Sequence, residues 1–221
     1  MAGPASVPPP EVLWRVGWAT DPNGGPPPDP LDLANSEAGN RWDLIDGTST
    51  VVYAATTRET AMLESTAHFR LDSLLAPYVD SWIELGHMPP EAVPAGWRHK
   101  RTWARWDPPP GLQFLDIANS QTVAWLNEHA RAVLATRNIG TLTVAHVTGE
   151  DRVLTRLLSA WFHNTSAGRL AGICFPSKHG TNLQCWAIYD HAAPDFIAAH
   201  PILKSDPEIS TAEALFGLKF H

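Results

Sequence analysis

The stretch Thr50-Val51-Val52-Tyr53-Ala54-Ala55-Thr56-Thr57-Arg58-Glu59-Thr60-Ala61-Met62-Leu63-Glu64 reads as a strand that runs straight into a helix. Thr50 to Ala55 is rich in β-branched and aromatic side chains, which favour extended backbone. Thr56 and Glu59 have the S/T-x-x-E spacing of a capping box, so a helix is expected from about Thr57 to about Phe69. Upstream, Val12 to Val16 alternates as a short strand, with Arg15 projecting from the face opposite Val12, Trp14 and Val16. Asp21 to Pro30 (DPNGGPPPDP) reads as a loop, because its prolines and glycines break both helix and strand. Downstream, helices are expected over about Gln121 to Thr136 and Asp151 to Asn164. Two short strands follow, Ala171 to Phe175 and Leu183 to Tyr189. A last helix is expected after Ser210, where Ser210 and Glu213 repeat the capping spacing.

Glu84 to Gly111 is rich in proline and tryptophan and carries the basic cluster Arg98-His99-Lys100-Arg101. It reads as an ordered excursion or hairpin on the core. The expected class is therefore α+β: a single compact domain over 12–221, with mixed or antiparallel sheets flanked by helices. Residues 1–11 form a disordered or extended N-terminus, and the Pro/Trp-rich excursion is inserted at about 84–111.

The chain has 221 residues, 44% hydrophobic and 18% charged, enough to bury a core rather than remain disordered. A net charge of -7 argues against a general polyanion binder, so no direct nucleic acid binding is expected. It leaves room for a small phosphate ligand, for which two arginines suffice. Cys174 and Cys185 form no CxxC pair and no disulfide framework, which fits a reducing cytoplasm. No signal-peptide pattern and no membrane-length apolar run is visible, so a cytoplasmic protein without membrane contact is expected.

Around the strand-helix junction the chemistry-bearing residues are Arg15, Arg41, Tyr53 and Glu64. On its helix, Glu64 has Thr60, Ala61, Ala67 and His68 at neighbouring positions, and no lysine or arginine at ion-pair spacing. It is either a carboxylate turned toward the protein, needing partners from elsewhere, or an exposed helix glutamate, or one capped by His68. Arg15 and Arg41 are natural partners for both this carboxylate and a phosphate, because guanidinium forks match phosphate oxygens. Each is equally readable as a surface or structural arginine. Tyr53 reads as a ligand contact or as a core tyrosine with a tethered hydroxyl. Ser177 lies in the loop between the last two strands, where serine commonly serves turn chemistry. HExxH, GxSxG and Walker-type loops are all missing. A zinc set of His163, Cys174, His179 and Cys185 matches no common ligand spacing, so no metal is expected.

The ordered set Arg15, Gly39-Asn40-Arg41-Trp42, Tyr53 and Glu64 after Arg58-Glu59-Thr60-Ala61 resembles the RES domain. Gly172-Ile173-Cys174-Phe175-Pro176-Ser177 with Asn182-Leu183 resembles its serine segment, and Asp151 to Trp161 its penultimate helical region. The resemblance implies an ADP-ribosyltransferase-like fold and a toxin of a toxin-antitoxin pair, with an Xre-type antitoxin as partner. It implies NAD as substrate rather than cofactor, cleaved at the nicotinamide N-glycosidic bond by phosphorolysis, with inorganic phosphate as co-substrate, or by hydrolysis. Carried over by position, Glu64, Arg41 and Tyr53 would be catalytic, and Arg15, Arg41, Tyr53 and Ser177 would bind substrate. The alternatives are a mono-ADP-ribosyltransferase acting on a protein and a non-catalytic NAD-binding module. An RNA-cleaving toxin is disfavoured by the acidic charge.

Overall fold

In the computed structural model, residues 3–24, 39–47, 49–85, 87–166, 168–180 and 182–221 are described. Part of the loop expected over 21–30, residues 25–30, lies outside them. The strand at the junction, β3 (Val51–Ala55), forms where β-branched and aromatic residues were expected to favour it. Among the described residues ten strands occur. The others are β1 (Ser6–Val7), β2 (Leu13–Trp18), β4 (Ala92–Val93), β5 (Arg101–Trp106), β6 (Phe114–Asp116), β7 (Gly172–Pro176), β8 (Gln184–Tyr189), β9 (Ile197–Pro201) and β10 (Lys219–Phe220). Eight form one mixed sheet in the order β1-β6-β7-β8-β3-β2-β5-β9, while β4 and β10 make a small second sheet. The pairings in the large sheet are antiparallel except β6 with β7.

The helices are α1 (Arg58–Thr66), α2 (Val79–Glu84), α3 (Ala95–His99), α4 (Ser120–His129), α5 (Arg131–Thr136), α6 (Val144–Thr148), α7 (Arg152–Ser166) and α8 (Pro207–Phe216). The architecture is thus α+β, as the sequence indicated. Alternation along β8 shows how the core is divided. Ala187 and Tyr189 point to the side where α4, α5 and α7 supply Leu126, Leu134, Leu158 and Phe162. Trp186 and Ile188 point to the opposite side, with Leu13, Phe114 and Phe196. At the β2–β5 end, α1 and α8 cover the sheet with Met62, Leu63 and Ile209 around Trp103. Two helical groups therefore cover the sheet, one at each end.

Three local readings need correction. The helix cap is Thr57 rather than Thr56: Thr57 Oγ1 accepts the Thr60 N–H at 3.1 Å, while Thr56 Oγ1 accepts the Trp186 indole N–H at 3.0 Å. The last helix begins at Pro207 behind Asp206, so Ser210 is internal. Proline suits a first helical position, where its missing N–H has no partner to lose. The segment 84–111 is an excursion only in its first part, since β5 lies inside the sheet between β2 and β9. Its Trp103 is fully buried, and the Arg101 guanidinium stacks on Trp18 and Trp97 at 4.3 and 4.7 Å.

The close fit of β7 on β8 requires glycine at 172. A Cβ there would lie 1.9 Å from the Ala187 carbonyl oxygen, at a φ of +154°. Gly172→Ala combines a backbone clash with strain, and is expected to destabilise the protein by about 2–4 kcal/mol in denaturant unfolding.

Candidate active site

β2 and β3 pair at one position among the described residues, Trp14 with Ala55. A cleft opens where they part, on the face between the two helical groups. It has two adjoining chambers of about 270 and 180 Å³. The larger is walled by Trp14, Arg15, Val16, Ala55 and Cys185, and the smaller by Arg41, Arg152, Ser177 and Lys178. Asn40, Tyr53, Glu64 and Phe175 belong to both. The smaller chamber thus sets three cationic side chains against one carboxylate.

Glu64 reaches this junction because Thr57 fixes the start of α1 and buried Met62 and Leu63 fix its rotation. Glu64 itself is exposed, open to the cleft. Ser177 Oγ donates to Glu64 Oε1 at 2.6 Å, and the Cys185 thiol lies 3.7 Å from the same oxygen. The serine is held from both sides: its N–H donates to the Leu183 carbonyl at 2.8 Å, and its Oγ accepts the His179 N–H at 3.0 Å. A hydroxyl has one proton, and here it is directed at Glu64. His68 does not cap Glu64; its ring lies against Phe69 at 4.1 Å.

The loop that carries Arg41 is fixed from one helix face. On α7, Arg152 Nη1 donates to the Gly39 carbonyl (2.9 Å) and Arg156 Nε to that of Asn40 (3.0 Å). Thr155 Oγ1 donates to the Arg41 carbonyl (2.6 Å) and Ser159 Oγ to that of Trp42 (2.7 Å). These donors occupy positions i, i+3, i+4 and i+7, one stripe of a helix. Asp43 closes the loop from within: Oδ2 accepts the Asn40 N–H at 2.6 Å and Oδ1 accepts the Tyr53 hydroxyl at 2.9 Å. Tyr53 Oη in turn accepts the Trp42 N–H at 2.9 Å. Burial, reinforced by Asp43, pushes the tyrosine pKa well above its ordinary value. The hydroxyl is therefore a structural tie, and it is the ring, edge-on to Phe175, that lines the cleft.

Arg41 donates to the Gly149 carbonyl, and its pKa is lowered mainly by burial and then by the charge of Arg152, with Glu64 acting in the opposite direction. Arg15 lines the larger chamber, but its Nη1 donates to the Asn23 carbonyl at 3.0 Å and its guanidinium lies over Phe196 at 5.8 Å. Burial also lowers its pKa. It projects away from Trp14 and Val16, as alternation along β2 requires. Asn23 is itself anchored, its Oδ1 accepting the Phe196 N–H at 2.7 Å.

Of the residues singled out from sequence, Arg41, Tyr53, Glu64 and Ser177 meet in the smaller chamber, while Arg15 stands on the wall of the larger. Asp43, Phe175 and the α7 stripe were missed. The stripe had a readable signal, since polar residues recur at helical spacing on an otherwise apolar-facing helix. Burial raises both cysteine pKa values, that of Cys174 to about 12, so neither is an activated thiolate. Among the described residues, His163, Cys174, His179 and Cys185 do not gather into a ligand set.

No curated protein and no solved structure matches the chain significantly. A family model does, that of the RES domain, over residues 12–211, nearly the whole length. That span runs from the strand bearing Arg15 through Arg41, Tyr53, Glu64 and Ser177 into the last helix, and the chain belongs to the RES domain family.

Proposed function

We propose that the protein is an NAD-degrading enzyme that cleaves the nicotinamide N-glycosidic bond, passing ADP-ribose to phosphate or water. The observation that carries this reading is the Glu64 carboxylate, held by Ser177 where an aromatic-walled chamber meets a cationic one. Membership of the RES family supports it, since that family is associated with NAD and with toxin-antitoxin pairs. The cellular role that follows is a toxin, neutralised by an Xre-type antitoxin.

Nicotinamide is already cationic in NAD, so it leaves as a neutral base and needs no general acid. The barrier lies in the oxocarbenium-like ribosyl centre, as in glycoside cleavage. A carboxylate about 4 Å from that charge contributes about 4 kcal/mol at an effective dielectric of about 20. This corresponds to roughly a thousandfold in rate. The described contacts of the carboxylate both fall on Oε1, which leaves Oε2 for the ribosyl carbon. Arg41 and Lys178 would hold the diphosphate or the incoming phosphate, as charge-assisted donors do. Tyr53 and Phe175 would pack against the ribosyl-nicotinamide end. The nucleophile then enters from the face opposite nicotinamide, forming the new bond to the anomeric carbon as the old one breaks.

Glu64→Gln keeps the shape and the Ser177 contact while removing the charge. Nicotinamide release from NAD should fall roughly a thousandfold, with an unchanged unfolding midpoint; full activity in this variant would refute the mechanism. Ser177→Ala removes one charge-assisted hydrogen bond, worth about 1.5–3 kcal/mol. It should lower kcat by about 10- to 100-fold with little change in KM. Product analysis of an NAD incubation with and without inorganic phosphate identifies the acceptor. A phosphorylated ADP-ribose and faster turnover in phosphate are the expected results, free ADP-ribose in both cases would mean hydrolysis, and label on protein would mean transfer to a protein.

A further inference from the structure

A second cluster of reactive side chains lies away from the cleft. His163 near the end of α7, with Asp190 and His191 in the turn after β8, each bring one ligand atom within 4.8 Å of the others. From Cys185 at the cleft to Tyr189 next to this turn is four residues of β8, roughly 13 Å at strand rise. We propose that His163, Asp190 and His191 form a binding site for a divalent cation of the zinc class, completed by water.

The hydrogen bonds set which atoms are offered. His191 Nε2 faces the Leu170 carbonyl at 3.0 Å, and a carbonyl only accepts, so that nitrogen carries the ring proton. Its Nδ1 keeps the lone pair a cation needs. This outer contact is the arrangement by which metal-ligating histidines are oriented. His163 Nδ1 is 3.5 Å from the Asn164 side-chain oxygen, and its Nε2 is 4.0 Å from Asp190 Oδ1. The His163 ring is set edge-on to Tyr189 at 4.9 Å, so the half-buried ligand is the pre-oriented one. Asp190 and His191 are exposed and free to close the remaining gap. A tetrahedral zinc site with bonds of about 2.0–2.1 Å places its ligand atoms about 3.3 Å apart, a shift of about 1 Å or so for each exposed side chain. Two imidazoles with one carboxylate favour zinc, nickel or copper over magnesium or calcium, which prefer all-oxygen sites.

The cation would join α7 to the end of β8. His163 lies four residues beyond Ser159, in line with the donors that hold the 39–42 loop, so the site braces that helix from its far half. It takes part in no bond-making at the cleft.

The test is titration of the untagged, chelator-stripped full chain with zinc chloride, read by equilibrium dialysis and by the thermal unfolding midpoint. Binding of one zinc per chain with a raised midpoint is expected. Asp190→Asn, which leaves the Leu170 contact in place, and His191→Ala should each weaken binding by more than about tenfold and abolish the midpoint shift. Both residues are exposed, so the variants should fold as the parent does. Failure to bind zinc, or zinc binding equal in both variants and the parent, overturns the proposal.

Discussion

One helix face gripping four consecutive carbonyls is the constraint on which the cleft depends. Residues 39–42 form no regular structure, so their backbone oxygens have no ladder to join and must find donors elsewhere. Arg152, Arg156, Thr155 and Ser159, all on one face of α7, supply them to residues 39, 40, 41 and 42 respectively. Arg156 is fully buried, and a buried guanidinium persists only where charge and hydrogen bonds compensate its lost hydration. The Asn40 carbonyl and the nearby Asp43 charge provide that compensation. Asp43 then ties the loop to the sheet through Tyr53. The Arg41 side chain is thereby positioned by contacts that its own side chain does not make.

The sheet adds the second constraint. Its two helical groups cover opposite ends of one face, α4, α5 and α7 over Ala187 and Tyr189 and α1 and α8 over the β2–β5 end, and the cleft lies between them. Tyr53, Ala55 and Cys185 therefore face the cleft. The parting of β2 from β3 beyond Trp14 and Ala55 extends this gap through the sheet, which is how Arg15, projecting from the other face, still reaches the wall. α1 crosses the gap at its rim. It is fixed at its start by Arg58, whose guanidinium bridges Asp206 and Glu208 and stacks on Trp103 at 4.3 Å. The position of Glu64 thus depends on α8 as well as on α1.

Legibility in the sequence followed range. The β3–α1 junction was readable because period, propensity and cap are all local, and its one error, Thr56 for Thr57, lies between adjacent identical residues. The onset of α8 was misread because a capping spacing at Ser210 and Glu213 outranked a proline rule that also applied at Pro207. β5 was hidden because prolines flank it on both sides and it begins within the basic cluster Arg98-His99-Lys100-Arg101. Arg101 is packed on two indoles, while Arg105 forms an exposed ion pair with Asp107 at 2.7 Å. The residues gathered in the smaller chamber were individually nameable from their family resemblance. The α7 donors were not, because their contacts with the 39–42 loop span more than a hundred residues, and Asp43 was not, because its tie to Tyr53 depends on how that loop folds back onto β3.

The remaining step concerns why a serine, rather than an arginine, touches Glu64. A guanidinium in direct contact would offset most of the carboxylate's field at the point where the proposed reaction develops a ribosyl cation. A neutral hydroxyl orients the carboxylate without cancelling its charge. Ser177 can do this because the His179 N–H occupies its acceptor side and leaves its single proton for Glu64. Arg41 acts on Glu64 through space while its own described hydrogen bond goes to the Gly149 carbonyl. The site thus separates positive charge, in the smaller chamber, from a carboxylate held by a neutral hydroxyl at the junction. That separation is what the proposed reaction, which builds positive charge on a sugar beside a diphosphate, requires.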